Sequence, residues 1–245
     1  MKLIKAIYAF FLMIFSLKIF NAKKEFKNKR IAIIGAADSA FAEKNGELID
    51  GFDIVIRINK APQYWDTEKT YYIGSKFTYL FHSFYENNFS GGGAIDWEYF
   101  DALGIEKVIN PNHTKKGLYT HLNYFKRHNR FRKTYLLSKE NYSVLSNDLE
   151  GFIPTVGYSA LAAVLQSDCQ EIFITGFTFF KTPYAKGYRT ELEDPEANRK
   201  HIINQGLHNP DLEFEAFKNA LKISPCGNIH FDKELQRLLK KESLE

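Results

Sequence analysis

The chain has 245 residues, of which 44% are hydrophobic and 25% charged, so it is long enough to bury a full core as one compact domain, with or without a small lid. Its net charge of +4 is mild and not clustered, which argues against nucleic acid as a partner, although an anionic small molecule would suit a basic cleft. Two cysteines, Cys169 and Cys226, exclude a disulfide framework and a Cys/His quartet for zinc.

The first 29 residues differ in character from the rest. Residues 6–17 form an apolar run with lysines on both sides. The run is shorter than the ~20 apolar residues of a spanning helix, and no A-x-A cleavage site follows it. We therefore expect residues 1–29 to form a membrane-associated helix and residues 30–245 to form the folded domain. If the run spans, the lysine-rich flank after it places the domain in the cytoplasm; if it lies flat, the lysines face anionic headgroups.

Short apolar segments alternate with helical ones along the remaining chain. Strands are predicted at 31–34, 53–59, 77–84, 107–112, 171–177 and, more weakly marked, 228–232. Helices are predicted at 155–167, 211–222 and 233–245, residues 113–150 are expected to be helices and loops, and residues 178–207 are expected to form a flexible lid. This alternation predicts a Rossmann-like α/β fold, with a mostly parallel twisted sheet and helices on both faces.

Ligands of such sheets lie outside the carboxyl ends of the strands, and polar or small residues occur at several of these ends. "GAADS" (35–39) is a small-residue turn that would let backbone N–H groups approach a phosphate. Asn59 and Thr155 are each suited to binding an anion, although taken alone each more often has a local role, as a turn residue and as a helix N-cap. The loop after the strand at 171–177 adds the phenols of Tyr184 and Tyr188.

His208 is the best candidate for a general base, because histidine titrates near physiological pH. Glu213 follows five residues later, where it could orient the imidazole or favour the start of the helix. The sequence lacks D-x-D, metal-ligand spacing of histidines and G-x-S-x-G, so neither a metal site nor a serine hydrolase is indicated.

The order of these features resembles the sialyltransferases of glycosyltransferase family 29. The family's large motif is similar to "IAIIGAADSAFAEKNGELIDGFDIVIRINKAP" (31–62) followed by "IGSKFTYL" (73–80). Its small motif is similar to "PTVGYSALAAVLQSDCQEIFITGF" (154–177), and its H-x-x-x-x-E motif is similar to residues 208–213.

This resemblance implies a metal-independent, inverting transferase that moves sialic acid from CMP-sialic acid to a hydroxyl of a glycan or glycolipid, with no cofactor. His208 would deprotonate the acceptor hydroxyl and Glu213 would support the site. The nucleotide would be bound by residues of the first turn, the second strand end and the small motif: Gly35, Ala36, Ala37, Ser39, Asn59, Thr155, Val156 and Gly157.

The chain departs from the family pattern at the residue that helps the phosphate leave. The histidine of the family's third motif has no clear match, and His201, Tyr184 and Tyr188 are the candidates; paired tyrosines at this place resemble the bacterial family 42 sialyltransferases. The cysteine that would pair with Cys169 is missing, which favours a bacterial enzyme on the cytoplasmic face of the inner membrane over a Golgi type II protein. Two further alternatives are a transferase of Kdo or another CMP-linked ulosonic acid, and an inactive nucleotide- or glycan-binding module.

Overall fold

The computed structural model describes residues 2–87, 92–188 and 194–241, and within them eight parallel strands form one sheet. The strands are β1 (Leu17–Phe20), β2 (Arg30–Ile34), β3 (Ile54–Ile58), β4 (Tyr79–Phe81), β5 (Lys107–Asn110), β6 (Thr134–Leu137), β7 (Glu171–Thr175) and β8 (Ile229–Phe231). The helices are α1 (Lys2–Ser16), α2 (Ala22–Glu25), α3 (Gly46–Asp50), α4 (Ala61–Tyr64), α5 (Thr70–Ile73), α6 (Trp97–Ala102), α7 (Lys115–His128), α8 (Lys139–Ser146), α9 (Val156–Leu165), α10 (Pro195–Asn204), α11 (Pro210–Ile223) and α12 (Lys233–Lys241).

The strand order explains where a ligand would bind. Across the sheet the order is β1-β6-β5-β4-β3-β2-β7-β8. From β2 the chain moves outward strand by strand to β6, and it then returns to place β7 and β8 on the other side of β2. The order therefore reverses between β2 and β7, and the crevice at the carboxyl ends of these two strands is the expected ligand site of an open α/β sheet.

Both faces of the sheet are covered, which is why the central strands are apolar at nearly every position. Ile31 and Ile33 of β2 pack with α9 and α11 on one face. Ala32 and Ile34 of the same strand face the other way, toward a cluster that includes Ile49 of α3. The alternation follows from the two-residue period of a strand. The predicted Rossmann-like α/β fold is confirmed.

The structure differs from the boundary predicted at residue 30. β1 pairs with β6 as an edge strand of the sheet, and Phe20 is 1% exposed in the core. Ala9 of α1 is fully buried in the cluster that also holds Tyr124 and Phe125 of α7. The folded unit therefore includes residues before 30. Ser16 alone separates the apolar residues of the helix from "LKIF", and one serine is a weak signal for the end of a helix.

Two other segments also differ from their prediction. Residues 113–150 contain strand β6, which pairs with both β1 and β5. The predicted lid at 178–207 is not one continuous loop, because α10 occupies residues 195–204; residues 189–193 lie outside the described part of the chain. The mobility of the lid stays a prediction.

Candidate active site

A cavity of about 560 Å³ opens at the carboxyl ends of β2, β3, β4, β5 and β7. This volume is in the range of small-molecule sites. Most of the residues predicted for the site line it: Gly35, Ala36, Ala37, Asn59, Thr155, Val156, Gly157, Tyr184, Tyr188, His208 and Glu213. The fold thus brings together at one cavity residues that lie far apart in sequence.

His208 is held at the cavity by a single defined hydrogen bond. Its Nδ1–H donates to the carbonyl oxygen of Ile153 at 2.5 Å, and because a carbonyl can only accept, the proton is on Nδ1. The other nitrogen, Nε2, therefore carries the lone pair that a base needs. Burial lowers the pKa of His208, and the charge of Lys116 lowers it further, whereas the bond to Ile153 raises it. The imidazole is consequently neutral near pH 7.

Glu213 does not orient His208, which is one of the roles considered from sequence. Its two carboxylate oxygens accept from Thr155 instead, Oε1 from the backbone N–H at 2.6 Å and Oε2 from the hydroxyl at 2.7 Å. The Thr155 hydroxyl in turn accepts from the N–H of Tyr158 and so caps α9. Ile153 also donates its N–H to the Leu207 carbonyl at 2.9 Å. Residues 207–213 and 153–155 are therefore fastened together, which fixes His208 relative to the start of α9.

The buried carboxyl of Glu213 predicts a pH-dependent stability. Burial raises its pKa from the ordinary 4.5 to about 7, although the hydrogen bonds from Thr155 lower it. Between these two values the folded chain keeps a proton that the unfolded chain has lost, so this group makes folding less favourable as pH rises from 4.5 to 7. Glu213→Gln removes the titration, so its Tm minus that of the wild type should increase between pH 5 and pH 8.

Thermal unfolding measured at intervals across that pH range checks this prediction. The matched control is Glu215→Gln on the exposed face of α11, where the carboxylate pairs with Lys218 in solvent. Its Tm should follow that of the wild type at every pH. Parallel curves for Glu213→Gln and the wild type would mean that Glu213 does not titrate in this window.

The turns after β2 and β7 meet in the crevice where the strand order reverses. A Cβ on Gly35 would lie 2.1 Å from the carbonyl oxygen of Gly176, so only glycine fits there. Gly176 itself has φ +74°, a conformation that favours glycine. The buried Asp232 carboxylate joins the two turns, since its Oδ2 accepts from the N–H of Gly176 at 2.8 Å and the hydroxyl of Ser39 at 3.2 Å.

Ser39 is therefore not placed as the sequence suggested. Its hydroxyl is buried against Asp232 and it is not among the residues that line the cavity. The lining of the cavity therefore does not support the predicted contact of Ser39 with a nucleotide. Ser39 instead helps to hold the turn on which Ala36 and Ala37 reach the cavity.

Comparison with known proteins identifies the family. The model of glycosyltransferase family 29 (sialyltransferase) matches residues 2–223. The chain belongs to glycosyltransferase family 29. The enzymes of this family are glycosyltransferases that transfer sialic acid, and the predicted family and enzyme class are confirmed.

Solved sialyltransferases share the fold. One is a crystal structure of a mammalian sialyltransferase, with 15% identity and a TM-score of 0.52. Another is a mammalian sialyltransferase in complex with Gal-β1-3GalNAc-ortho-nitrophenol, with 17% identity and a TM-score of 0.53. Both alignments cover 91% of this chain and 77% of the other chain. No curated protein matches the chain.

Several residues of the family 29 large motif stabilise the fold and do not line the cavity. Arg57 in "VIRIN" is 1% exposed, and its guanidinium donates to the carbonyls of Ile73 at 2.7 Å and Gly74 at 3.1 Å. Asp50 in "ELID" accepts from the N–H groups of Ser75 and Lys76, both at 2.8 Å. The "GSK" segment is thus held by two other parts of the same motif, which gives these residues a structural role in this chain.

Asn59, in contrast, faces the cavity from the end of β3. Its Oδ1 accepts from the N–H of Ser83 at 3.1 Å, which leaves the amide NH₂ as the donor. Its φ is 49°, in the left-handed region that asparagine tolerates. Phe179 and Phe180 share this left-handed conformation and also line the cavity, at φ 52° and 62°. Such backbone strain in bulky residues is costly and is concentrated at functional sites.

The two candidate tyrosines lie against the first turn. Tyr184 forms an isolated antiparallel bridge with Ala37, and the N–H of Ala185 donates to the Ala36 carbonyl at 2.8 Å. The Tyr184 and Tyr188 rings are 5.2 Å apart, and Tyr188 is 8% exposed whereas Tyr184 is half-buried. Tyr184 is therefore the more accessible phenol. The side chain of His201 lies outside the described part of the chain.

Sequence reasoning missed the wall formed by the ends of β4 and β5. Ser83, Asn110, Asn112 and Thr120 line the cavity there. Asn110 is fully buried, and its amide donates to the Gly117 carbonyl at 3.1 Å while its oxygen accepts from the N–H of Asn112 at 3.0 Å. The signal was available, since "SF" and "NPN" end the strands predicted at 77–84 and 107–112, as Asn59 ends the strand predicted at 53–59.

Among residues 2–87, 92–188 and 194–241 no group of three or more His, Cys, Asp or Glu side chains is placed to hold an ion. Both cysteines are buried and free, and burial raises the pKa of Cys169 to about 12. Metal-independent catalysis stays a prediction, to be checked by activity in the presence of a chelator.

Proposed function

We propose that this family 29 enzyme transfers sialic acid from CMP-sialic acid to a hydroxyl of a glycan, with inversion at the anomeric carbon and without a metal. The observation that carries the proposal is His208, a half-buried imidazole whose Nδ1 proton is committed to Ile153 and whose Nε2 is therefore the basic nitrogen at the cavity. A neutral base of this kind is what deprotonation of an alcohol requires.

The nucleotide is assigned to the side of the cavity where the strand order reverses. Gly35, Ala36 and Ala37 present backbone without bulky side chains, and Asn59 presents an amide donor. Val156 and Gly157 begin α9, and the first N–H groups of a helix favour an anion. Small side chains and oriented donors together suit a nucleoside monophosphate that lies between the turn after β2 and the start of α9.

The reaction then needs one base and one leaving group. The acceptor hydroxyl gives its proton to Nε2 of His208 as its oxygen bonds to the anomeric carbon from the face opposite the phosphate. The bond between that carbon and the phosphate oxygen breaks, and CMP leaves with the electron pair. Tyr184 is our choice for the donor to the departing phosphate, with Tyr188 as the second candidate, because both phenols line the cavity beside the first turn.

A donor screen tests this proposal. The protein is incubated with CMP, CDP, UDP, CMP-sialic acid and CMP-Kdo, and both thermal stabilisation and CMP release are measured. We expect CMP and CMP-sialic acid to raise Tm and CMP-sialic acid to be turned over. Turnover of CMP-Kdo alone would reassign the sugar, CMP binding without turnover of any donor would indicate a binding module, and stabilisation by UDP alone would contradict the proposal.

We also propose that the enzyme acts at an anionic membrane surface through α1. No helix in the described part of the chain has the length and apolar character to cross a bilayer. However, α1 buries only part of its surface against α7, and its large apolar side chains are exposed: Leu3, Ile4, Ile7, Tyr8, Phe10, Phe11, Ile14 and Phe15. Exposed Lys5 lies among these residues and exposed Lys18 follows them, and such a combination of apolar and basic side chains is typical of helices that lie in the interface.

A vesicle-binding assay tests whether the exposed apolar side chains of α1 bind a membrane. Replacing Phe11 and Phe15 by glutamate should weaken binding to vesicles containing phosphatidylglycerol by at least about tenfold, since each inserted Phe contributes about 1.5–3 kcal/mol. Ile223→Glu is the matched control, because Ile223 is 79% exposed at the far end of α11. Equal binding of the double variant and the control would contradict the proposed surface.

A further inference from the structure

The wall of the cavity formed by β5 and α7 carries a charge that the mechanism above does not use. Lys116 lies in the first turn of α7, and Thr120 follows it one turn later on the same helix face; both line the cavity. Among the described residues of the lining, Lys116 is the one side chain with a permanent positive charge. Glu213 is the one acidic side chain among the same described residues of the lining, and both of its oxygens accept hydrogen bonds from Thr155.

Lys116 is available to a ligand. Its side chain is exposed, and in the part of the chain that the structure describes its ammonium has no hydrogen-bond or ion-pair partner. The β5–α7 wall is also polar, because Ser83, Asn112 and Thr120 line the cavity there. A cation among hydroxyl and amide groups is suited to an acidic sugar.

Lys116 lies on a different side of the cavity from the proposed nucleotide site. β5 lies three strands from β2 in the sheet order, away from the turns that carry Gly35 and Gly176. The positive charge of Lys116 lowers the pKa of the His208 imidazole. Lys116 and His208 also line the same cavity, so the ammonium shares that space with the proposed base.

We propose that Lys116 binds a sugar carboxylate beside the reacting anomeric carbon, and that this contact selects an acidic sugar over a neutral one. The inference rests on the proposed function. Sialic acid carries its carboxylate on the carbon that is attacked, so a donor in reach of His208 brings that group toward Lys116. An acidic acceptor could supply the same carboxylate chemistry. Lysine binds such a group as a compact point charge through an N⁺–H···O⁻ hydrogen bond.

Titration calorimetry with two ligands tests the proposal. CMP and CMP-sialic acid are each titrated into the wild type, Lys116→Gln and the control Lys115→Gln, whose side chain is exposed but not part of the lining. Lys116→Gln should weaken CMP-sialic acid binding about tenfold and leave CMP unchanged, because CMP lacks the carboxylate. Lys115→Gln should match the wild type with both ligands.

Kinetics with two acceptors separates the sources of the carboxylate. If donor affinity is unchanged in Lys116→Gln but KM rises for a sialylated acceptor and not for a neutral one, the carboxylate belongs to the acceptor. If Lys116→Gln equals Lys115→Gln in donor affinity and in both KM values, the inference is wrong while the proposed function stands. If the wild type binds neither CMP nor CMP-sialic acid, the proposed function is wrong and the inference falls with it.

Discussion

Replacing His208 by asparagine is expected to lower kcat/KM by about 10³-fold, in the range that removal of a general base produces. Asparagine can still donate to the Ile153 carbonyl, so the local structure should persist while the basic Nε2 is lost. The affinity for CMP should stay within about twofold of the wild type, because the base acts only in the transition state. Initial rates of CMP release and calorimetric titration of CMP measure the two quantities separately.

The pH profile of the wild type provides a second check on His208. Burial holds the pKa of its imidazole below the ordinary 6.5, so the group is neutral and competent above that pH. Activity should therefore be complete near pH 7 and fall as the solution is acidified below 6.5, where the imidazole becomes protonated. Retention of more than a tenth of wild-type kcat/KM by His208→Asn, with an unchanged acidic limb, would show that another group is the base.

Replacing Gly35 by alanine is expected to have the largest effect on stability. The new Cβ would lie 2.1 Å from the carbonyl oxygen of Gly176 and 2.9 Å from Cδ2 of Phe177, so backbone must move. Overpacking of this kind costs about 3 kcal/mol, which corresponds to a Tm lower by about 10 °C in a domain of this size. The shift would also displace the first turn, so CMP affinity should fall in the folded protein.

Thermal unfolding and CMP titration of the variant, carried out below its Tm, measure both effects. Gly227→Ala is the matched control, because a Cβ there meets nothing within 4 Å and its backbone is not in the left-handed region. It should unfold and bind CMP like the wild type. A Gly35→Ala variant with unchanged Tm would mean that the two turns are not packed as closely as we describe.

The alternation of apolar strands and helices was sufficient to predict the fold but not its edges. β1 was missed because only Ser16 lies between the apolar residues of α1 and the short segment "LKIF", so the end of the helix is weakly marked. β6 was missed because "TYLL" lies in a polar, aromatic segment and is stabilised by neighbours on both sides in the sheet. Pairing between distant segments determines both strands, and a local pattern does not contain it.

The site could be predicted where a backbone rule applies. The rule that ligands lie at strand ends placed Asn59 and the 35–37 and 155–157 turns at the cavity, and the same rule applied to "SF" and "NPN" would have added Ser83 and Asn110. Ser39 shows the limit of the rule, because its partner Asp232 is 193 residues away. The bond from His208 to the Ile153 carbonyl could not be predicted at all, since every residue carries such an acceptor.

Sugar transfer itself tests the central claim most directly. The protein is incubated with CMP-sialic acid, a panel of neutral and sialylated glycans and EDTA, and products are detected by mass spectrometry alongside CMP. We predict an acceptor heavier by one sialic acid residue, equimolar CMP, no effect of EDTA and product formation about 10³-fold slower with His208→Asn. Binding of CMP at the cavity without a heavier product from any acceptor, or transfer that EDTA abolishes, would contradict this mechanism.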